Sequence, residues 1–158
     1  MRPSQLLSNY YSYKTPFGKI TISSNGESIT GVGLGERTYP GENRTSSLTN
    51  ECANQLLEYL SGKRSVFDIE YDAQGTDFQK QVWDEISKIP YSHVITSKEL
   101  AESVGMPSAY RQVGAAVRAN PIAIIIPAHR VIPQSGYVGK NEHDRIRAAF
   151  RNLESHYG

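Results

Sequence analysis

Short apolar runs separated by turn residues open the chain, and they read as a small antiparallel sheet. Tyr10 to Lys14, Lys19 to Ser23 and Ile29 to Leu34 are strand-like, with Pro16-Phe17-Gly18 and Asn25-Gly26 between them. Asn and Gly both tolerate positive φ, which suits a tight hairpin at the second junction. Gly35 to Ser47 is mostly Gly, Pro, Thr, Ser and charge, and reads as a mobile connecting loop. The period then changes: Leu48, Cys52, Leu56 and Leu60 recur every four residues, predicting a helix over Ser47 to Leu60 with Gly62 available to end it. Val66 to Tyr71 has the composition of a further strand, and Asp72 to Gly75 reads as a junction.

The second half is punctuated by helix caps. Thr76-Asp77-Phe78-Gln79 and Thr96-Ser97-Lys98-Glu99 are capping boxes, in which the Thr hydroxyl and the Gln or Glu side chain each satisfy a free backbone N–H. The first box predicts a helix to Ser87. The second predicts a short one with Leu100, Ala101 and Val104 on one face, halted at Gly105. After the turn Met106-Pro107-Ser108, Ser108 is expected to cap a helix to Arg118 whose buried face is Tyr110, Val113 and Val117. Two short helices joined by a Gly-bearing turn read as helix-turn-helix. Ile122 to Ile126 is unbroken apolar sequence, rich in β-branched residues and fenced by Pro121 and Pro127, which predicts a buried strand. Ala128-His129-Arg130 follows at once, and a His-Arg pair at the end of an apolar segment must be satisfied by something. Asp144 to Leu153 reads as a surface helix covering that strand, with Ile146, Ala149, Phe150 and Leu153 inward. The fold class is therefore α/β: an N-terminal lobe over 1–74 of antiparallel sheet plus helix, and a C-terminal helical lobe over 75–158 with a helix-turn-helix and a short site strand.

Composition narrows the function classes. With 158 residues and 38% hydrophobic content, the chain can hold one domain or two small lobes. The longest apolar run is far short of a bilayer span and no charged-then-apolar leader pattern opens the sequence, so a soluble, intracellular protein with no membrane partner is expected. That means cytoplasmic, or nuclear in a eukaryotic cell. A single cysteine, Cys52, excludes an internal disulfide and offers no cluster for structural zinc, so neither metal nor cofactor is implied. On an apolar stripe it reads as a buried hydrophobe. The formal net charge is +1; residues 1–75 carry 7 Lys/Arg against 8 Asp/Glu, and residues 76–158 carry 10 against 8. So small an asymmetry diagnoses no polyanion binding, and any such argument rests on where the basic residues sit. Arg111, Ala115 and Arg118, with Gly114 beside them, fall on the helix face opposite the apolar one. Small side chains there would let the backbone approach a groove while arginines meet phosphates or enter a base stack, although spacing alone favours a solvated face. No heptad or self-complementary stripe is present, and a monomer is expected.

Several ordered motifs carry a resemblance. Asn120-Pro121 through Pro127-Ala128-His129-Arg130-Val131, together with Gly75-Thr76-Asp77-Phe78-Gln79, Val82-Trp83, Ile89-Pro90-Tyr91, Lys98-Glu99-Leu100-Ala101 and Arg111-Gln112-Val113-Gly114-Ala115, resemble the O6-alkylguanine-DNA alkyltransferases. The resemblance covers roughly the C-terminal half. It implies a helix in the DNA minor groove, with Arg111 filling the gap left by an extruded guanine and Tyr110, Gly114, Ala115, Arg118 and Ser97 at the DNA interface. Asn120 matches the hinge asparagine, which a helix stop before Pro121 would explain as well. His129 matches the histidine that activates the alkyl-accepting cysteine, and Glu154 the carboxylate that orients it, but the cysteine position itself is Ala128. Pro127, Val131, Tyr137, Val138, Gly139, Asn141 and Glu142 match the substrate pocket. Two further departures stand out: Ser97 replaces a tyrosine that presses on the flipped nucleotide, and Lys140-Asn141-Glu142-His143 replaces a small glycine loop. The resemblance thus implies a protein similar to the alkyltransferase-like group, which binds O6-alkylguanine in double-stranded DNA without transferring the alkyl group and has downstream repair proteins as partners. Two alternatives are a suicide methyltransferase inactivated by a Cys-to-Ala change, and a helix-turn-helix transcription regulator.

Overall fold

The structure is a computed structural model that describes residues 7–133 and 142–158. Its backbone divides into two compact units, one formed by Met1–Gln74 with Pro121–Ala123 and the other by Gly75–Asn120 with Ile124–Gly158.

In the first unit, strands β1 (Asn9–Thr15), β2 (Gly18–Ser24) and β3 (Ile29–Leu34) form the expected antiparallel meander. Register runs from Asn9 opposite Ser24 to Thr15 opposite Gly18. The second hairpin works differently from the expectation of two positive-φ residues. Gly26 has φ +94°, whereas Asn25 contributes its side chain, whose Oδ1 accepts from Glu27 N and Ser28 N, both at 2.9 Å. Helix α1 (Ser47–Leu60) is capped by Ser46 in a reciprocal box with Thr49. It buries Cys52, Leu56, Tyr59 and Leu60, while Ile20, Ile22, Ile29 and Val32 are the buried apolar residues of the sheet. Burial pushes the Cys52 thiol up to about 12, so it stays protonated and serves as packing.

Residues 35–46 are anchored, which corrects the reading of a merely mobile loop. Arg37 N donates to Thr21 Oγ1 at 3.0 Å, and the Tyr39 ring lies so close to Gly31 that an added Cβ would sit 2.8 Å from it. The glycines on β3 make room for that ring. The segment ends in β4 (Glu42–Asn43), a two-residue strand parallel to β1 that completes the order β3-β2-β1-β4. Val66 to Tyr71 forms no strand; only Tyr71 makes an isolated bridge, to Ile29.

The run Ile122 to Ile126 is a second correction. Ile122 makes an isolated bridge to Val32, with Val32 N donating to Pro121 O and Ala123 N to Val32 O, each at 3.0 Å. The chain then turns at Ile124, whose φ is +71°, a left-handed conformation that is uncommon for a β-branched residue. The Asn120 amide holds the turn from outside by donating to Ile126 O at 2.8 Å. Apolar content announced burial correctly, since Ile122, Ile124 and Ile126 are at most 3% exposed, but it did not specify an extended backbone.

In the second unit, helices α2 (Asp77–Ile86) and α3 (Ser97–Ser103) begin at the two capping boxes, with both reciprocal hydrogen bonds present in each. Helix α4 (Tyr110–Arg118) follows Gly105, at φ +77°, and a 3₁₀ turn over Pro107–Ala109. Ser108 lies inside that turn, and no side chain caps α4. The buried face of α4 is Val113, Ala116 and Val117, while Tyr110 is 42% exposed, so Val113 and Val117 lie inward as expected and the inward position of Tyr110 is corrected. Trp83 on α2 donates its indole N–H to Ala116 O at 2.9 Å, fixing α2 against α4. Strands β5 (Ile95–Thr96) and β6 (Val131–Ile132) pair in parallel. Helix α5 (Glu142–Tyr157) buries Phe150 and packs on the turn at 128–130. It begins at Glu142, so helix replaces part of the expected loop.

Candidate functional site

The site grows from one 3₁₀ turn, Ala128–Arg130, entered from Pro127. Ala128 N donates to Ile126 O at 2.8 Å and Arg130 N to Pro127 O at 3.0 Å. These tight bends leave His129 and Arg130 only 3% and 7% exposed. A guanidinium so placed needs a counter-charge, and Glu154 of α5, 1% exposed, supplies it.

The Glu154 carboxylate is saturated with donors. Its Oε1 accepts from Arg130 Nε at 2.8 Å and from Ser92 N at 2.9 Å. Its Oε2 accepts from Arg130 Nη2 at 3.0 Å and from His129 Nε2 at 2.5 Å. Ser92 adopts φ +71°, a left-handed conformation costing a residue with a Cβ about 1–2 kcal/mol, offset here by the N–H it delivers to a buried anion. The other end of the guanidinium donates from Nη1 to Ile89 O at 2.7 Å, and its carbon lies 5.6 Å from the Tyr91 ring centroid. On the other side, the His129 ring meets Phe150 edge-on at 5.6 Å.

Burial holds the His129 imidazole below its ordinary value of 6.5, with Arg130 and Arg151 acting in the same direction. The hydrogen bond and charge of Glu154 oppose this but do not win, because the carboxylate is already compensated by the bidentate Arg130. A neutral ring beside a carboxylate must carry its proton on Nε2, which puts the basic lone pair on Nδ1. The consequence for stability has a definite sign. The unfolded chain binds a proton near pH 6.5 that the folded chain resists, so the His129 contribution is present above that pH and is lost as pH falls below it. Urea unfolding between pH 7 and 5 is expected to show this decline, and His129→Gln to flatten it; identical slopes would remove the assignment.

The sequence-derived residues fall into groups. Ala128, His129 and Glu154 come together as one buried cluster, and Asn120 braces the turn two residues upstream of Ala128. Pro127 and Val131 are buried on either side of the 3₁₀ turn. Arg111, Ala115 and Arg118 are exposed along one face of α4, with Gly114 half-buried between them. Among the described residues a Cβ at Gly114 would meet only Arg118 Nη1, at 3.4 Å, so their packing does not require a glycine there. Tyr110 lies beside this face, its ring 6.0 Å from the Arg111 guanidinium, and Ser97 is half-buried at the first position of α3. Tyr137, Val138, Gly139 and Asn141, and the side chain of Glu142, lie outside the described residues. Sequence reasoning missed the bidentate Arg130 and the Ser92 N–H. The juxtaposition of His129 and Arg130 was the signal for the first; nothing local marked the second.

Comparison with known proteins identifies the family. The model of the 6-O-methylguanine DNA methyltransferase DNA binding domain matches residues 77–155, and that of the ribonuclease-like domain of the same family matches residues 9–73. A methylated-DNA--protein-cysteine methyltransferase of Mycobacterium bovis is 39% identical over 133 residues, covering 81% of this chain and 80% of the relative. The constitutive enzyme of that name from Bacillus subtilis is 33% identical over 159 residues, covering 92% and 95%. Among solved structures, the Mycobacterium tuberculosis O6-methylguanine methyltransferase superposes with a TM-score of 0.86 at 34% identity, over 96% of this chain and 94% of that one. The crystal structure of the Mycobacterium tuberculosis OGT in complex with DNA also gives 0.86 at 34% identity, over 95% and 94%. With both halves of the chain matched in sequence and in fold, this protein belongs to the 6-O-methylguanine DNA methyltransferase family.

Proposed function

We propose that the chain recognises O6-alkylguanine in duplex DNA and holds it without removing the alkyl group. The observation that carries this reading is Ala128, a buried methyl side chain next to an intact His129–Glu154–Arg130 cluster. Alkyl acceptance needs a nucleophile with a lone pair, activated by a neighbouring base, and alanine has none. Binding requires only the remaining parts. In this reading the exposed face of α4 enters the minor groove, Gly114 and Ala115 let the backbone approach, Arg118 meets phosphate, and Arg111 takes the space left by the extruded guanine. Ser97 and Tyr110 flank the same strand. Extrusion is required because O6 of a paired, stacked guanine is out of reach of a buried group, and a damaged base costs less to unpair. A lesion that is held and not repaired must be passed on, so the partners are damaged DNA and downstream repair proteins, with the chain acting as a cytoplasmic monomer. Residues 75–158 do this work, and residues 1–74 support it.

The test is a titration of O6-methylguanine duplex against matched undamaged duplex over a salt series. Tighter binding to the lesion is expected throughout, and equal affinity sinks the proposal. A preference for one base sequence irrespective of damage would instead identify a transcription regulator. Arg111→Ala should lose on the order of tenfold in lesion affinity, since the wedge offsets an unstacking cost of a few kcal/mol. Lys80→Ala, on exposed α2 surface, should lose far less, and 2-aminopurine fluorescence beside the lesion reports extrusion directly.

A second reading, a repair enzyme inactivated at one position, is favoured by the 2.5 Å contact between His129 and Glu154. A relay kept in working geometry is what loss of the nucleophile alone would leave behind.

A further inference from the structure

Helix α5 carries three charged residues at the spacing i, i+4, i+7: Arg147, Arg151 and Glu154. They share one face, and Glu154 fixes where that face points, toward the turn at 128–130. Arg151, one turn before Glu154, donates from Nη1 to His129 O at 3.0 Å. Arg147, a further turn along, is half-buried and makes no hydrogen bond or ion pair with any described residue. Arg118, in the last turn of α4, is near enough for its charge to act on Arg147.

The electrostatics of this row are unfavourable in the free protein. Burial lowers the pKa of both Arg147 and Arg151, each is lowered further by another arginine, and Asp144 is the acid that offsets them. Glu154 does not help, because its four acceptor positions are taken by Arg130, His129 and Ser92. Cations gathered and half-buried around one shared acid weaken a fold unless something outside the chain completes them. A chain whose net charge is only +1 therefore concentrates positive charge between the DNA-facing helix and position 128.

We propose that Arg147 and Arg151, with Arg118, form an oxyanion site beside position 128. On the lesion-binding reading, on which this rests, its ligand is a phosphodiester of the damaged strand or a carboxylate carried on the O6 substituent. Guanidinium forks suit both anions, and a carboxylate-bearing lesion would be selected over a methyl one in the second case.

Arg147→Gln in the full chain tests this, since the residue has no described hydrogen bond to lose and only the attraction of Asp144 to forgo. Binding is measured with three duplexes: O6-methylguanine with its normal backbone, the same lesion flanked by neutral methylphosphonates, and an O6-carboxymethylguanine duplex. If the ligand is a phosphodiester, the variant binds the first and third duplexes roughly tenfold more weakly, as for one charge-assisted contact, and the second no differently from wild type. If it is the lesion carboxylate, the loss is confined to the third. Unchanged affinity for all three, or an equal loss on all three, overturns the site. Thermal melting separates a binding role from a structural one. The variant should melt at or above wild type because the burial of a charge, the largest influence on Arg147, is relieved together with the like-charge contact to Arg118, and these outweigh the attraction of Asp144; a clear drop overturns the proposal. Inorganic sulfate at constant ionic strength supplies an arm without DNA. It should raise the wild-type melting temperature more than that of Arg147→Gln, and equal protection rejects the site even if lesion discrimination succeeds. A wild-type chain that fails to discriminate damaged DNA but keeps the sulfate difference would reject the lesion reading alone.

Discussion

Replacing Glu154 by alanine is expected to destabilise the chain by about 3–5 kcal/mol, the usual consequence of removing one partner from a buried, hydrogen-bonded ion pair. The magnitude follows from what is stranded. Arg130 is 7% exposed and would keep its charge with only the Ile89 carbonyl and the Tyr91 ring as partners. The Ser92 N–H would lose its acceptor as well, and the left-handed backbone that aims it would have no compensation. Glu154→Gln should cost less, since the amide oxygen can still accept from Arg130. Denaturant titration of the three proteins decides the matter, and a loss below about 1 kcal/mol for the alanine variant, the range of an exposed pair, would mean that the cluster is not the keystone of the second unit.

Ala128→Cys should produce the largest change in chemistry. The new thiol would sit in the 3₁₀ turn beside a neutral imidazole whose Nδ1 is basic, and beside the positive charges of Arg130 and Arg151. Both influences favour the thiolate over the roughly 8.5 of a free cysteine, whereas burial, which holds Cys52 at about 12, works against it. Thiol reactivity as a function of pH measures the balance, and an apparent pKa at or above that of a free cysteine would contradict the relay role of His129 and Glu154. Single-turnover methyl transfer from labelled O6-methylguanine DNA, followed by mass spectrometry of the peptide containing residue 128, asks the further question of pocket shape. Efficient transfer favours an inactivated repair enzyme; an activated thiol that accepts nothing favours a lesion sensor, with Ser97 and the 140–143 segment as the altered parts of the pocket.

The starts of α2 and α3 were legible in the sequence because they are specified by side chains a few residues apart, whereas α4 starts with no side-chain cap and Ser108 misled. The boxes at Thr76 and Thr96 appear with both of their hydrogen bonds, and α1 occupies Ser47–Leu60 as its four-residue period requires. The strands of the meander were legible for the same reason, local alternation bounded by turn residues. What escaped was set by distant partners. Ile122 to Ile126 is equally apolar as a strand or as a buried turn, and its conformation depends on Val32 and on the Asn120 amide. The left-handed Ser92 answers a carboxylate 62 residues away, and β4 exists only because Asn9 and Tyr10 offer an edge to Glu42 and Asn43. The pairing of His129 with Glu154 came from family likeness, whereas the bidentate role of Arg130 had to be seen in three dimensions.

The three residues Pro121–Ala123 also bear on how the chain is made. They belong to the first unit, and Ile122 meets Val32 across a separation of 90 residues (122 minus 32). During synthesis at roughly 5–20 residues per second, the first unit can leave the ribosome and assemble its meander and α1, but it must wait seconds for its last segment while the whole helix-turn-helix is translated. Until then the apolar slot that receives Ile122 and the backbone groups of Val32 stay uncovered. A nascent chain paused near residue 75 is therefore a substrate for chaperones or a site of misassociation, and a reporter fused downstream of residue 123 would register completion that one fused at residue 75 cannot.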